Sequence, residues 1–125
     1  MAGGLIKKIA SQKGIDVEVR TAGLAHHANQ GVAEKAVAVM QEIGIDISDE
    51  YSKPVTAKAL EWADIIVPIQ RNHGAHLLED YPKLKKLKSK TRFLDDDVKD
   101  PCNGSISVYR ERRDQLELLL SRLSF

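Results

Sequence analysis

The sequence is poor in cysteine and in long apolar runs. Cys102 is the single cysteine of 125 residues, which excludes an internal disulfide and fits a reducing compartment, so we expect a cytoplasmic protein. Lys7 and Lys8 stand near the start among isolated apolar residues, a pattern that excludes a signal peptide and a membrane-spanning helix. We therefore expect no membrane partner.

Charge of one sign does not dominate either. The formal net charge of +1 produces no strong field toward nucleic acid or an anionic membrane. The lysines at positions 83, 85, 86, 88 and 90 form a basic run, but no aromatic residues are interleaved to stack on bases, so we interpret the run as a solvated surface and expect no nucleic-acid partner. With 42% hydrophobic and 30% charged residues, positions 1–125 fit one globular domain with a single core.

Apolar residues recur at helical spacing in several segments. The pattern predicts helices around residues 5–10, 33–43, 56–62, 72–80 and 105–123. Gly14 and Gly44 follow the first two segments, where a left-handed residue commonly ends a helix. Thr56 and Ser105 are the predicted N-caps of the third and the last.

Three short runs between the helices predict strands: residues 16–20, 65–67 and 92–94. The run at 65–67 is continuously apolar, as expected of a strand that is buried on both faces. Strands separated by helices form parallel sheets, so the expected fold class is α/β.

A loop motif follows the third predicted strand. It reads Asp100-Pro101-Cys102-Asn103-Gly104-Ser105, with Tyr109 and Arg113 in the helix behind it. This segment resembles the acid loop and last helix of the low-molecular-weight protein tyrosine phosphatases, arginine-phosphatase-like members included, which carry Asp-Pro-aromatic-Gly-Gly-Ser there. The resemblance implies that Asp100 is a vestigial general acid, which in the family protonates the departing atom, and that Cys102 and Asn103 line the substrate cleft.

Further segments extend this resemblance, in the same order, over residues 1–123: 1–8, 17–23, 44–48, 63–67 and 71–73. It implies a three-layer α/β/α fold. The family sheet has four parallel strands, and the first, which runs into a Cys-x5-Arg phosphate loop, is missing from this sequence. Losing four or five buried apolar side chains, at about 1.5–3 kcal/mol each, rivals the stability of a whole domain. We therefore expect three strands, with residues 16–20 paired directly to 65–69 or with a second chain covering the gap.

Catalysis through cysteine needs a thiolate, a nest of backbone N–H groups and an arginine fork. Only the acid is visible here, so we expect a family member, acting on phosphotyrosine or phosphoarginine proteins, that is inactive as given. Cys102 is a poor substitute nucleophile because the next arginine, Arg110, is predicted inside a helix. Two alternatives stay open: a non-catalytic binding or regulatory module, or self-associating pseudophosphatase, and an N-terminally truncated form of an active phosphatase.

Other candidate sites have simpler interpretations. His73 and His76 are three apart but lack a third ligand, so we expect no metal, and no cofactor is implied. His26 and His27 are interpreted as solvated, although the resemblance places their loop beside the substrate cleft. The lone cysteine argues against the arsenate reductases of this fold, which use two further cysteines. The expected partners are a second copy, through the incomplete sheet, and a phosphoprotein substrate once the missing loop is present.

Overall fold

Helices make up much of the structure. The computed structural model describes residues 1–24, 33–51 and 53–123. Within them the chain forms six helices: α1 (Ala2–Gln12), α2 (Glu34–Gln41), α3 (Ala57–Trp62), α4 (Arg71–Asp80), α5 (Leu87–Lys90) and α6 (Ile106–Ser121). The five helices predicted from the apolar pattern are confirmed, while the single turn of α5 is not predicted by it.

Local sequence explains several helix ends. The side-chain oxygens of Thr56 and Ser105 accept hydrogen bonds from the backbone amides three residues later, at 3.1 and 3.4 Å. Gly14 and Gly44 follow α1 and α2 with φ of 72° and 79°, a left-handed conformation that glycine adopts without a steric cost. The predicted caps and stops are therefore confirmed.

The predicted sheet is reduced to isolated bridges. Within the described ranges no residues form an extended strand, but Gly23 makes a parallel bridge with Pro54, and Ile66 makes one with Thr91. Thr91 directly precedes the predicted run 92–94, and the Arg92 amide of that run donates to the Ile66 carbonyl at 2.8 Å, so two of the three predicted runs are neighbours. The three-strand sheet itself is not confirmed.

Residues 16–20 do not form the strand that was predicted for them. Their backbone groups have no hydrogen bond to any described residue, so the expected pairing with residues 65–69 is not formed. A strand needs the N–H and C=O groups of a neighbour, and β-branched composition alone does not supply them. The segment is instead held by a side chain: the Arg20 guanidinium lies 3.8 Å from the centroid of the Trp62 ring. Val17 remains 37% exposed.

The main hydrophobic core lies where α6 packs against α1 and α2. Its fully buried side chains include Leu5, Val39, Met40 and Leu120. A smaller cluster of Leu60, Leu77 and Leu87 lies among α3, α4 and α5. Leu87 is the buried residue of α5 and packs this single turn into the smaller cluster.

Two glycines let α1 approach its neighbours. A Cβ atom on Gly3 would lie 2.6 Å from Thr21 Cγ2, and one on Gly4 would lie 2.9 Å from Ile45 Cγ2. Any larger residue would therefore push α1 away from the segments around residues 21 and 45. Glycine is required here for close packing and not for backbone conformation.

Candidate active site

The loop of residues 100–105, which we call the 100–105 loop, is closed by its own hydrogen bonds. Asp100 Oδ1 accepts from the Cys102 amide at 2.9 Å, and the Gly104 amide donates to the Pro101 carbonyl at 2.7 Å. Asn103 adopts φ of 62°, a conformation that asparagine tolerates better than most residues. The Asp-Pro and Asn-Gly pairs thus fold the loop locally, before Ser105 begins α6.

Tyr109 lies behind this loop, in the first turns of α6. Its side chain is buried, and burial raises the pKa of its hydroxyl, with smaller electrostatic contributions from Cys102 and Asp100. The hydrogen bond from the Cys102 amide joins Asp100 and Cys102 in one loop, directly before the helix that carries Tyr109.

The predicted site residues are accessible. Asp100, Cys102 and Asn103 are all exposed, and Cys102 is a free thiol. Asp100 is therefore accessible from solvent. Its Oδ2 atom has no hydrogen bond to the described part of the chain.

Among the described residues, no arginine completes a thiol-based phosphate site with Cys102. The residue that a Cys-x5-Arg motif would need as arginine is Val108. The next arginine, Arg110, donates to both carboxylate oxygens of Glu42, at 3.0 and 2.7 Å. Its guanidinium is engaged in an ion pair between α6 and α2, so it does not reach toward the thiol.

Lys35 is a site residue that the sequence analysis missed. Its ammonium donates a hydrogen bond to the Gly104 carbonyl at 2.7 Å, across 69 positions of sequence. Nothing in the local pattern of α2 distinguishes this lysine from other exposed lysines, because the contact exists only in the folded chain. Lys35 thus connects the first turn of α2 to the 100–105 loop.

The histidines do not form a metal centre within the described residues. No group of three His, Cys, Asp or Glu side chains lies close enough there to hold a metal ion. His73 is half-buried and His76 exposed on α4. His26 and His27 lie outside the described residues. In the same parts of the chain, no helix is both long and apolar enough to span a membrane.

Comparison with known proteins identifies the family. The model of the low molecular weight phosphotyrosine protein phosphatases matches residues 1–124. The chain belongs to this family. It is similar to the protein-arginine-phosphatase of Bacillus subtilis (strain 168), at 33% identity over 128 residues that cover 99% of this chain and 85% of the relative. A protein-arginine-phosphatase of Geobacillus stearothermophilus is 31% identical over 86% of this chain and 75% of its own length.

Solved structures agree with this assignment to the phosphatase family. A YwlE mutant from Bacillus subtilis superposes with a TM-score of 0.85 at 31% identity, over 96% of this chain and 83% of that one. The YwlE arginine phosphatase with a phosphorylated active-site serine superposes with a TM-score of 0.86, also at 31% identity, over 96% of this chain and 81% of that one. The structural neighbours have the α/β fold of the family. The family assignment made from the sequence is therefore confirmed.

Proposed function

We propose that this phosphatase-family chain provides the proton donor for hydrolysis of phosphorylated protein side chains, with Asp100 as the general acid. The observation that carries this proposal is the setting of Asp100: an exposed carboxyl that accepts a hydrogen bond from the Cys102 amide, on the loop that begins the helix of the buried Tyr109. The similarity to two arginine phosphatases favours phosphoarginine over phosphotyrosine as the substrate group.

Hydrolysis of a phosphorylated side chain requires a proton at the leaving atom. Hydrolysis breaks the bond between phosphorus and the leaving atom, which is the phenolic oxygen of tyrosine or a guanidine nitrogen of arginine. Protonation of that atom as the bond breaks avoids expulsion of an unstable anion. Because Asp100 Oδ1 is occupied by the Cys102 amide, Oδ2 is the oxygen that would carry the proton.

We further propose that a polypeptide of residues 1–125 does not hydrolyse phosphate esters alone. Stabilisation of the transferred phosphoryl group needs backbone N–H groups and an arginine at the nucleophile, and these act as a unit. The sequence contains no Cys-x5-Arg, and Arg110 is paired with Glu42. A polypeptide of residues 1–125 would therefore carry the proposed acid without a Cys-x5-Arg loop.

The gene and a fusion protein together test this proposal. The reading frame upstream of the Met1 codon either encodes a Cys-x5-Arg segment or does not, which separates a shortened form from a chain that never had one. A fusion that adds the strand and Cys-x5-Arg loop typical of the family should hydrolyse a phosphoarginine protein. Asp100→Asn in that fusion should lower kcat by about 10²–10⁴-fold, whereas an Asp96→Asn control should not. Equal turnover in the two variants would remove Asp100 from the role of acid.

A second candidate, self-association, has its own supporting observation. The backbone groups of residues 16–20 have no hydrogen bond to the described residues, and Ile15 and Val17 are 36% and 37% exposed. Unpaired edges of this kind tend to acquire a strand from another chain. A homodimer through this edge is therefore the second proposal, and sedimentation equilibrium at micromolar concentration tests it.

A further inference from the structure

We infer that Lys35 is a positioning residue that anchors the 100–105 loop, and with it Asp100, to helix α2. The inference concerns the placement of the loop, and it gains a catalytic meaning only if the proposed role of Asp100 holds. It starts from the 2.7 Å hydrogen bond between Lys35 Nζ and the Gly104 carbonyl. A hydrogen bond from an ammonium is stronger than one between neutral groups.

The loop has little else to place it. The Asp100–Cys102 and Pro101–Gly104 hydrogen bonds both begin and end within the loop, so they fix its shape and not its position. Among the described residues, Lys35 makes the one hydrogen bond that connects positions 100–104 to another part of the chain. No other hydrogen bond from a described residue outside the loop reaches positions 100–104.

Lys35 belongs to helix α2, which is held to α6 by several contacts. At the other end of α2, Arg113 of α6 donates to the Val39 carbonyl at 2.8 Å and to Glu42 Oε1 at 2.7 Å. Arg110 donates to the same carboxylate. Ala36, the neighbour of Lys35, is buried in the core. The ammonium is therefore attached to a helix whose position relative to α6 is fixed.

Gly104 is suited to receive this contact. Its own amide is bound to Pro101, and a Cβ atom at this position would lie 2.8 Å from the Pro101 carbonyl oxygen. The tight turn thus orients the Gly104 carbonyl outward, toward α2. Gly104 is thus bound through its N–H inside the loop and through its C=O outside it, so this residue connects Lys35 to the turn that contains Asp100.

Amide hydrogen exchange on the intact chain of residues 1–125 tests the inference without depending on activity. Lys35→Met should speed exchange of the Cys102 and Gly104 amides by about three- to tenfold, because loss of the anchor raises the open fraction of the turn. Lys35→Arg should restore slow exchange, since a guanidinium can also donate to the carbonyl. Lys58→Met, at an exposed lysine of α3, is the matched control.

Thermal unfolding separates anchoring from a general structural role. Lys35→Met and Lys58→Met should unfold within a degree or two of each other, as exposed surface substitutions usually do. Exchange at Cys102 and Gly104 that is equal in the two variants would overturn the inference, and so would failure of Lys35→Arg to restore it. Neither result would bear on Asp100 as the acid, which is tested by the Asp100→Asn comparison.

Discussion

Arg113 Nη1 lies 2.7 Å from Glu42 Oε1, and this contact joins the last helix to the end of α2. The Arg113 side chain is 8% exposed, and it also donates to the Val39 carbonyl and to Asp114. Glu42 receives Arg110 as well, so one carboxylate binds two guanidinium groups. The helix pair that carries both Lys35 and the 100–105 loop is held together by this group of charges.

Removal of the buried guanidinium should destabilise the chain. We expect Arg113→Met to lower the free energy of unfolding by about 1–3 kcal/mol, since the Val39 carbonyl loses a charged donor while Glu42 and Asp114 stay accessible to water. Arg122→Met is the control, because Arg122 and Asp95 form an exposed pair at 3.7 Å that should contribute less than about 1 kcal/mol. Urea unfolding followed by circular dichroism measures both. Equal midpoints would show that the Arg113 contacts do not stabilise the fold.

The same carboxylate predicts a dependence of stability on pH. Hydrogen bonds from Arg110 and then Arg113 lower the pKa of Glu42 from 4.5 to about 2. Because the pKa is depressed in the folded state, the contribution is present above pH 4.5 and is lost as the pH falls toward 2. Thermal unfolding between pH 5 and 2 should therefore show a smaller decline in Tm for Glu42→Gln than for the parent chain. Parallel curves would contradict the lowered pKa.

Close packing of α1 gives a third prediction. Ala in place of Gly inside a helix normally stabilises it by about 0.5–1 kcal/mol. At Gly3 the new methyl group would meet Thr21 Cγ2, so Gly3→Ala should instead destabilise by about 1 kcal/mol or more. Thr21→Ser removes that methyl group and should recover much of the loss in the double variant. A double-mutant cycle in chemical unfolding measures the coupling, and additive effects would contradict the contact.

The helices and the candidate site differ in how far the sequence predicts them. The Thr56 and Ser105 caps, and the stops at Gly14 and Gly44, depend on neighbours a few positions away, so the local sequence is sufficient to predict them. The loop around Asp100 is likewise built from bonds between adjacent residues. The resemblance to the family adds the role expected of Asp100, which the local pattern cannot give.

Non-local contacts set the limit of such prediction. The β-branched run at 16–20 predicts a strand, yet strand formation depends on a neighbour that this chain does not provide among its described residues. The Lys35 contact to Gly104 joins positions that are far apart in sequence, and no periodic pattern of the sequence predicts it. Helix α5 is too short to show a helical period at all.

The backbone of residues 16–20, which has no hydrogen bond to the described residues, predicts association. We expect the chain to dimerise at micromolar concentration through residues 16–20. Val17→Lys should shift it toward the monomer, because a lysine on an exposed edge disfavours strand pairing. Lys58→Met, on α3, should leave the distribution unchanged. Sedimentation equilibrium distinguishes the species, and a parent chain that is strictly monomeric would refute the dimer.

Turnover by the purified chain of residues 1–125 tests the central claim most directly. The assay measures phosphate release from an aryl phosphate and from a phosphoarginine protein, beside a Cys102→Ala variant. We predict no release above the uncatalysed rate for either chain, because residues 1–125 contain no Cys-x5-Arg and Arg110 is bound to Glu42. Phosphate release by the parent chain that disappears in Cys102→Ala would contradict the claim and would make Cys102 the nucleophile.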